Sequence, residues 1–316
     1  MLVHEFIEVH LMMWNLLDVF WVMVATTITI VSSLYLWKKE SVPELLTAAM
    51  LYGKMAKTEK KSLRLKDISI PKRWFAHFYQ FGVVIFAFCT FVMLQMFIFK
   101  KQPPWIIRQV VDIAVPNRGT SVPASTVFLV QTLESLQVFR RCYECMCVSV
   151  YSDAKMHVWH YVMGYMFYLG VQVTILSNAP GFASSSATIP SLSLSDFSWN
   201  HIVGTVLFFW AYKVQFDSHL RMASLRKDGT GKVISTSHKI PHGGWFELVS
   251  CPHYFAEIMI YNALTLILWH ANITWWLMMY WTWSNQIAVS FLSHYWYKEN
   301  FRDYPKHRKA VFPFIL

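Results

Sequence analysis

The run WFAHFYQFGVVIFAFCTFVMLQMFIF at residues 74–99 decides the fold class of this chain, because it contains no Asp, Glu, Lys or Arg. A helix needs about 17–25 largely apolar residues to cross a hydrocarbon layer about 30 Å thick. All backbone polar groups must be satisfied within such a segment, since the lipid offers no hydrogen-bond partners. The run therefore predicts a helix that spans a membrane.

The composition of the whole chain supports the same reading. Of its 316 residues, 55% are hydrophobic, 17% are aromatic and only 15% are charged, whereas a soluble domain has about 25% charged residues. These values exclude a disordered chain, a coiled coil, a collagen-like chain and a small secreted disulfide scaffold. The sequence predicts a polytopic membrane protein.

Further apolar runs flank the first one on both sides. The predicted fold is an all-α membrane bundle of about seven transmembrane helices, forming a single membrane domain over residues 1–316. No P-loop or GxGxxG motif indicates a soluble nucleotide-binding domain, and we expect no nucleic-acid partner. The other six predicted spans are residues 6–37, 122–139, 156–176, 199–216, 254–269 and 275–295.

The distribution of positive charge predicts the orientation of these spans. The chain has 28 Lys and Arg against 18 Asp and Glu, a net charge of +10. With seven spans, 23 of the basic residues fall on one side and four on the other, while Lys213 lies inside the fifth span. Basic residues near span ends are retained in the cytosol. The N-terminus is therefore predicted to be lumenal and the C-terminus cytosolic.

Polar side chains near the ends of the last three spans are candidates for a ligand site. Gln215 and His219 share one helix face just before Arg226, which suits a polar ligand at the cytosolic mouth. The alternative is a solvated helix end with a snorkelling Lys213. Glu257 is expected about one turn inside an apolar helix, where an ionisable group indicates function.

Three other features leave alternatives open. The alternative role of Glu257 is an ion pair with a neighbouring Arg or His that locks two helices together. The basic tail after residue 298 has an alternative role as an anchor for anionic lipid, whereas the intramembrane His294 is harder to dismiss. His157 and His160 stand only three residues apart with no second histidine motif, so we predict no metal site.

Longer motifs resemble the steroid 5α-reductase family. These motifs are HKIPHGGWFELVSCPHYFAE at 238–257 and NFRDYPKHRKAVFPFIL at 300–316. Within the family, the chain is most similar to the branch that reduces polyprenols. The matches to that branch are PKRWFAHFY (71–79), RRCYECMCVSVYS (140–152) and FLSHYWYKENF (291–301). The resemblance extends over nearly the whole chain and is most specific in its last third. It implies a seven-helix membrane bundle that takes NADPH from the cytosol and adds hydride to the β-carbon of an α,β-unsaturated carbonyl.

The resemblance also implies roles for individual residues. Most of the cofactor and catalytic motifs fall within residues 217–316. The steroid enzymes' catalytic tyrosine corresponds to Val138 and their second-span glutamate falls near His77 or Phe78, so that pair does not transfer. The remaining candidates for the catalytic acid are His294, His77 and Tyr143. The family's dinucleotide-holding positions correspond to Gln215, His219, Arg226, His253 (where the family usually has Asn), Tyr297 and Arg308, and Arg141 falls on a basic position of the family at the end of the third span. Together with Glu257 these are the predicted cofactor-binding residues.

The function implied is that of a multi-pass oxidoreductase of the endoplasmic reticulum membrane. It would use NADPH to saturate the α-isoprene unit of polyprenal or polyprenol, giving dolichal or dolichol for N-glycosylation. An allylic alcohol offers no carbonyl oxygen to take the developing charge, which favours the aldehyde as direct substrate. The alternatives are a 4-ene-3-keto steroid or trans-2-enoyl thioester reductase, an isoprenylcysteine methyltransferase-like enzyme, and a non-enzymatic transporter or scaffold.

Overall fold

The computed structural model describes residues 14–43, 46–47, 69–119, 122–183 and 189–315 of the chain. This part is mostly helical, and its two strands pair in one antiparallel ladder. The elements, in chain order, are α1 (Leu16–Trp37), β1 (Ser69–Pro71), α2 (Phe75–Phe97), α3 (Trp105–Ala114), α4 (Ala124–Tyr143), β2 (Lys155–His157), α5 (Val158–Asn178), α6 (Trp199–Ser224), α7 (Pro252–Ile267) and α8 (Ile273–Asn300).

Seven helices of 16 residues or more, α1, α2 and α4 to α8, coincide with the seven apolar runs of the sequence. Two stretches, Leu16–Trp37 and Lys72–Phe97, are long and apolar enough to cross a membrane when the described residues are judged by length and composition. The start of the first predicted span, residues 6–13, and most of the basic segment that follows that span lie outside the described residues.

The structure departs from an all-helical chain in the small sheet. Ser69 pairs with His157 and Pro71 with Lys155. Short strands of three residues carry no detectable period in the sequence, which explains why they were not predicted. Their pairing joins the segment before α2 to the segment before α5.

Several helix ends follow from local sequence. Asp18 accepts hydrogen bonds from the backbone and side-chain nitrogens of Asn15, at 3.2 and 2.7 Å, where α1 begins. Pro252 is the first residue of α7, a position where its missing N–H costs nothing. At the start of α8 the side-chain oxygen of Asn272 accepts from the backbone of Trp275 at 3.2 Å.

Close packing and buried amide pairs hold the bundle together. A Cβ added to Gly204 of α6 would lie 2.5 Å from Ile267 at the end of α7, so only glycine allows these two helices to approach so closely. Gln131 of α4 and Gln172 of α5 exchange two amide hydrogen bonds at 3.0 and 2.9 Å. Such pairs join helices even in an apolar medium. Trp21 of α1 is fully buried among these helices.

Candidate active site

A cavity of about 480 Å³ lies at one end of the bundle, within the range of about 300–1,000 Å³ that is usual for ligand pockets. Residues from the starts of α2, α5 and α7 and from the ends of α4, α6 and α8 surround it. Antiparallel succession of the helices brings these ends together. The chain thus collects at one place polar groups that are far apart in sequence.

Seven of the site residues predicted from the sequence line this cavity. Six of them come from four different helices and the seventh from the loop after α6, so the fold rather than local sequence brings them together. They are Arg141, Gln215, His219, Arg226, His253, Glu257 and Tyr297.

Glu144, which the sequence reasoning missed, organises the positive charge beside the cavity. It lies in a short π-helical turn after α4 with 0% of its side chain exposed. One carboxylate oxygen accepts from Arg140 at 2.9 Å, and the other accepts from Arg141 and lies 2.7 Å from Nδ1 of His219. The Arg–Glu spacings of four and three residues were the available signal, since such pairs meet on a helix surface.

The same neighbours determine the ionisation of Glu144. Burial by itself raises the pKa of the carboxyl. The hydrogen bond from His219 and the positive charges of Arg141 and Arg140 outweigh burial and lower the pKa of Glu144 to about 2. The carboxylate is therefore ionised at neutral pH and balances part of the arginine charge.

Glu257 is held by amide groups. Gln137 donates to its Oε2 at 3.1 Å, and Gln215 donates to the same oxygen. Gln215 also donates to the backbone oxygen of His253 at 3.1 Å. No ion pair of Glu257 with Arg or His is found among the described residues, so the alternative of a helix-locking charge pair is not supported. Its Oε1 makes no hydrogen bond within the described chain and is available to a ligand donor.

Arg226 and the loop that follows α6 form one rim of the cavity. The guanidinium donates to the backbone oxygen of Val150 at 2.5 Å and to that of Ser237 at 3.4 Å. Lys72 and Lys239 line the same cavity. Cationic side chains therefore approach the cavity from three separate segments, which is the distribution expected for a ligand with several anionic groups.

Arg308 lies behind this rim and is not among the cavity-lining residues in the described part of the chain. Its side chain is buried and donates to the backbone oxygen of Pro241 at 2.8 Å and to Glu247 at 3.2 Å. The backbone N–H of Gly243 donates to Glu247 at 2.5 Å; this bond, followed by the charge of Arg308, lowers the pKa of Glu247. Arg308 thus fixes the glycine turn that carries part of the rim.

The structure places the three candidate catalytic residues outside the cavity lining of the described chain. His294 is separated from the cavity by Ser250: its Nδ1 lies 2.6 Å from the hydroxyl of Ser250, which lines the cavity. His77 is exposed, with Nδ1 3.1 Å from the hydroxyl of Tyr161. Tyr143 is 54% exposed at the end of α4.

Two tyrosines that the sequence reasoning missed do line the cavity. The hydroxyl of Tyr79 on α2 accepts a hydrogen bond from Arg141 at 3.0 Å. Tyr168 on α5 lies beside it, with ring centroids 5.5 Å apart. Tyr79 falls within PKRWFAHFY, two residues after His77. Two residues correspond to about 200° around a helix, so Tyr79 lies on nearly the opposite side of α2 from the exposed His77 and faces the cavity.

The comparison with known proteins agrees with the resemblance seen in the sequence. A family model described as 3-oxo-5-alpha-steroid 4-dehydrogenase matches residues 181–316. A polyprenal reductase of Danio rerio is 36% identical over 273 residues, covering 84% of this chain and 85% of the relative. A polyprenal reductase of Homo sapiens is 36% identical over 252 residues, covering 79% of each chain.

A third relative, from Caenorhabditis elegans, is also named polyprenal reductase and is 35% identical over 278 residues, covering 86% of this chain and 88% of the relative. Identity at this level over most of both chains is specific for a family. The resemblance inferred from the sequence motifs is confirmed. The chain belongs to the steroid 5α-reductase family.

Proposed function

We propose that this chain is an NADPH-dependent polyprenal reductase. It saturates the α-isoprene double bond of polyprenal to give dolichal, the precursor of the dolichol used in N-glycosylation. The names of relatives that align over most of the chain support this substrate. The observation that carries the proposal is one cavity in which seven predicted cofactor residues, from four helices and the loop after α6, meet.

The residues of the cavity fit a phosphorylated dinucleotide. Arg226, Lys72 and Lys239 offer positive charge for phosphate groups, and Arg can bind such groups through two parallel hydrogen bonds. The free Oε1 of Glu257 can accept from a carboxamide N–H. These residues would hold NADPH, whose dihydronicotinamide, when bound, supplies a hydride to the β-carbon of the unsaturated aldehyde.

We assign the cavity to the cytosolic end of a seven-span bundle in the endoplasmic reticulum membrane, with a lumenal N-terminus. This topology is supported by the 23 basic residues that fall on one side when the spans alternate. It gives a soluble cofactor access from the cytosol. It also leaves the apolar helix surfaces to the lipid that carries the prenyl chain.

We treat the chain as one membrane domain of residues 1–316. The segment 217–316 supplies most of the cofactor groups, and Arg141 of α4 joins them across the cavity. Within this proposal His294, through Ser250, is one of the groups that can influence the bound aldehyde.

The direct test is purified protein incubated with NADPH and polyprenal, with dolichal detected by mass spectrometry. We expect dolichal with the aldehyde and none with polyprenol alone. Failure to convert polyprenal under conditions in which NADPH binds contradicts the proposal. A 4-ene-3-keto steroid and a trans-2-enoyl thioester added as competitors identify the alternative substrates, and S-adenosylmethionine binding in place of NADPH would indicate a methyltransferase-like enzyme.

A further inference from the structure

The proposed reaction needs a proton donor that the cofactor does not supply. Hydride addition to the β-carbon of an unsaturated aldehyde moves negative charge onto the carbonyl oxygen. A hydrogen-bond donor facing that oxygen lowers the barrier. Val138, the position that corresponds to the steroid enzymes' tyrosine, is a buried hydrocarbon side chain with 1% exposure, so the donor must come from another position.

The hydroxyl of Tyr79 has the geometry of a donor that faces the cavity. Arg141 donates to the Tyr79 oxygen at 3.0 Å, so the phenol acts as acceptor in that bond and its own proton is not used there. No acceptor for this proton occurs among the residues that the structure describes. Tyr79 lines the cavity together with Arg141, Gln215 and Glu257, and its hydroxyl lies beside Arg141, one of the proposed cofactor residues.

Arg141 can also stabilise the negative charge that proton transfer leaves on the Tyr79 oxygen. A tyrosine that gives up its proton becomes a phenolate, which is costly at a partly buried site without a cation. The guanidinium already donates to this oxygen, and a hydrogen bond to an ionised group is about twice as strong as one between neutral groups. The position of Arg141 is fixed in turn by Glu144.

The surroundings of Tyr79 restrict its ring. Its centroid lies 4.9 Å from that of Phe78 and 5.5 Å from that of Tyr168, and Arg141 lies 5.2 Å above the ring. A donor held by packing and one hydrogen bond loses little freedom when substrate binds. Tyr168 lacks an arginine at its hydroxyl in the described structure, and this difference selects Tyr79.

We propose that Tyr79 is the catalytic acid that protonates the carbonyl oxygen of the unsaturated aldehyde, a role that rests on the proposed reductase function. The hydride that NADPH would supply, with its oxidation to NADP⁺, forms the new C–H bond at the β-carbon. The electrons of the carbon–carbon double bond move toward the carbonyl oxygen, and this oxygen takes the Tyr79 proton. The resulting enol tautomerises to the saturated aldehyde. Water returns a proton to the Tyr79 phenolate, while Arg141 stabilises that anion.

The test compares Tyr79→Phe with the control Tyr165→Phe, which removes the same hydroxyl group from a tyrosine of α5. Tyr165 is outside the described cavity lining, and its hydroxyl lies 2.8 Å from that of Tyr161. We expect kcat for polyprenal to fall about 100- to 1,000-fold in Tyr79→Phe, with unchanged Kd for NADPH. Tyr165→Phe should retain wild-type kcat. Wild-type kcat in Tyr79→Phe overturns the assignment.

A measurement without turnover separates this role from a structural one. In the complex of wild type with NADP⁺ and polyprenal, a hydrogen bond from Tyr79 should lower the infrared carbonyl stretching frequency of the aldehyde. Tyr79→Phe should return the frequency toward that of free polyprenal, and Tyr165→Phe should not. An equal frequency in wild type and Tyr79→Phe excludes a donor at this position.

If Tyr79→Phe does not fold, 3-fluorotyrosine at position 79 keeps the ring and the hydroxyl while making the phenol more acidic. We then expect a lower carbonyl frequency and a pH optimum shifted downward, and an unchanged frequency and profile overturn the proposal. Wild type that binds NADPH but does not reduce polyprenal refutes the proposed function instead. Active wild type with an active Tyr79→Phe variant refutes only the assignment of the acid.

Discussion

Glu144 after α4 and His219 on α6 approach each other to 2.7 Å between carboxylate Oε2 and ring Nδ1, although 75 residues separate them in the chain. The same carboxylate receives Arg140 and Arg141. Its 0% exposure means that water does not screen these contacts. One anion therefore joins two helices and positions Arg141 at the cavity.

Replacement of Glu144 tests this organising role. Glu144→Gln leaves the buried Arg140 and the partly buried Arg141 without their anion, and loss of one partner of a buried ion pair costs about 3–5 kcal/mol. We expect a large fall in the free energy of unfolding, measured as a lower Tm in detergent. The matched control is Glu299→Gln on the exposed last turn of α8, which should leave Tm nearly unchanged. Equal Tm values for the two variants would argue against the role of Glu144.

The stability of the protein should depend on pH through the ionisation of Glu144. Its pKa is about 2 in the folded protein against an ordinary value of 4.5. A group with a depressed folded pKa contributes stability above its unfolded pKa and loses that contribution as pH falls through the folded value. The Tm difference between wild type and Glu144→Gln should therefore be full above pH 4.5 and shrink as pH falls toward 2. A difference that is constant from pH 6 to pH 2.5 contradicts this account.

The glycine turn after α6 should not tolerate a side chain. Gly243 has φ 84° and ψ 154°, a backbone region almost limited to glycine, where other residues cost about 1–3 kcal/mol. A Cβ there would also lie 2.6 Å from a guanidinium nitrogen of Arg221. We expect Gly243→Ala to lower Tm and weaken NADPH binding, since the turn carries the rim. Gly229→Ala, with no atom within 4 Å of the added Cβ, should do neither.

The seven long helices were predictable because each coincides with a run of apolar residues in the sequence. Their ends were less so. The fifth span was predicted to end at residue 216, but α6 continues to Ser224. Polar interactions sustain the extra turns beyond the apolar run, among them the ion pair of Lys213 with Asp217 at 2.8 Å. The apolar run ends where the side chains begin to contact polar surroundings, whereas the helix ends where its backbone hydrogen bonds end.

The site was predictable where the polar residue stood out from an apolar helix, as Glu257 and Gln215 do. Glu144 and Gln137 were missed because their importance comes from partners on α6 and α7 that only the fold brings near. Tyr79 was missed because a tyrosine in an aromatic-rich span looks like ordinary packing. The proposal for Tyr79 depends on its hydrogen bond from Arg141, which is 62 residues away in the chain.

Ser250 and His294 should act as one unit. The Ser250 hydroxyl lies 2.6 Å from Nδ1 of His294 and 2.5 Å from the hydroxyl of Tyr304. Groups in one hydrogen-bond network show coupling energies of about 0.5–3 kcal/mol in a double-mutant cycle. We expect Ser250→Ala and His294→Gln to be non-additive in kcat/KM for polyprenal. Additive effects would show that His294 acts independently of Ser250, and exposed His270→Gln serves as the control for histidine loss.

Binding of NADPH should depend on Arg226 and not on the exposed Lys213. A hydrogen bond to a charged group contributes about 1.5–3 kcal/mol, so Arg226→Ala should raise Kd for NADPH about 10- to 100-fold. Lys213 lies on α6, which ends two residues before Arg226. Its side chain is 75% exposed and paired with Asp217, so Lys213→Ala should bind NADPH as wild type does. The measurement is the rise in Tm with NADPH concentration, because a ligand that binds only the folded state stabilises it. If NADPH raises the Tm of Arg226→Ala as much as that of wild type, Arg226 does not bind the cofactor. This conclusion holds even if both variants have the same Tm in the absence of NADPH.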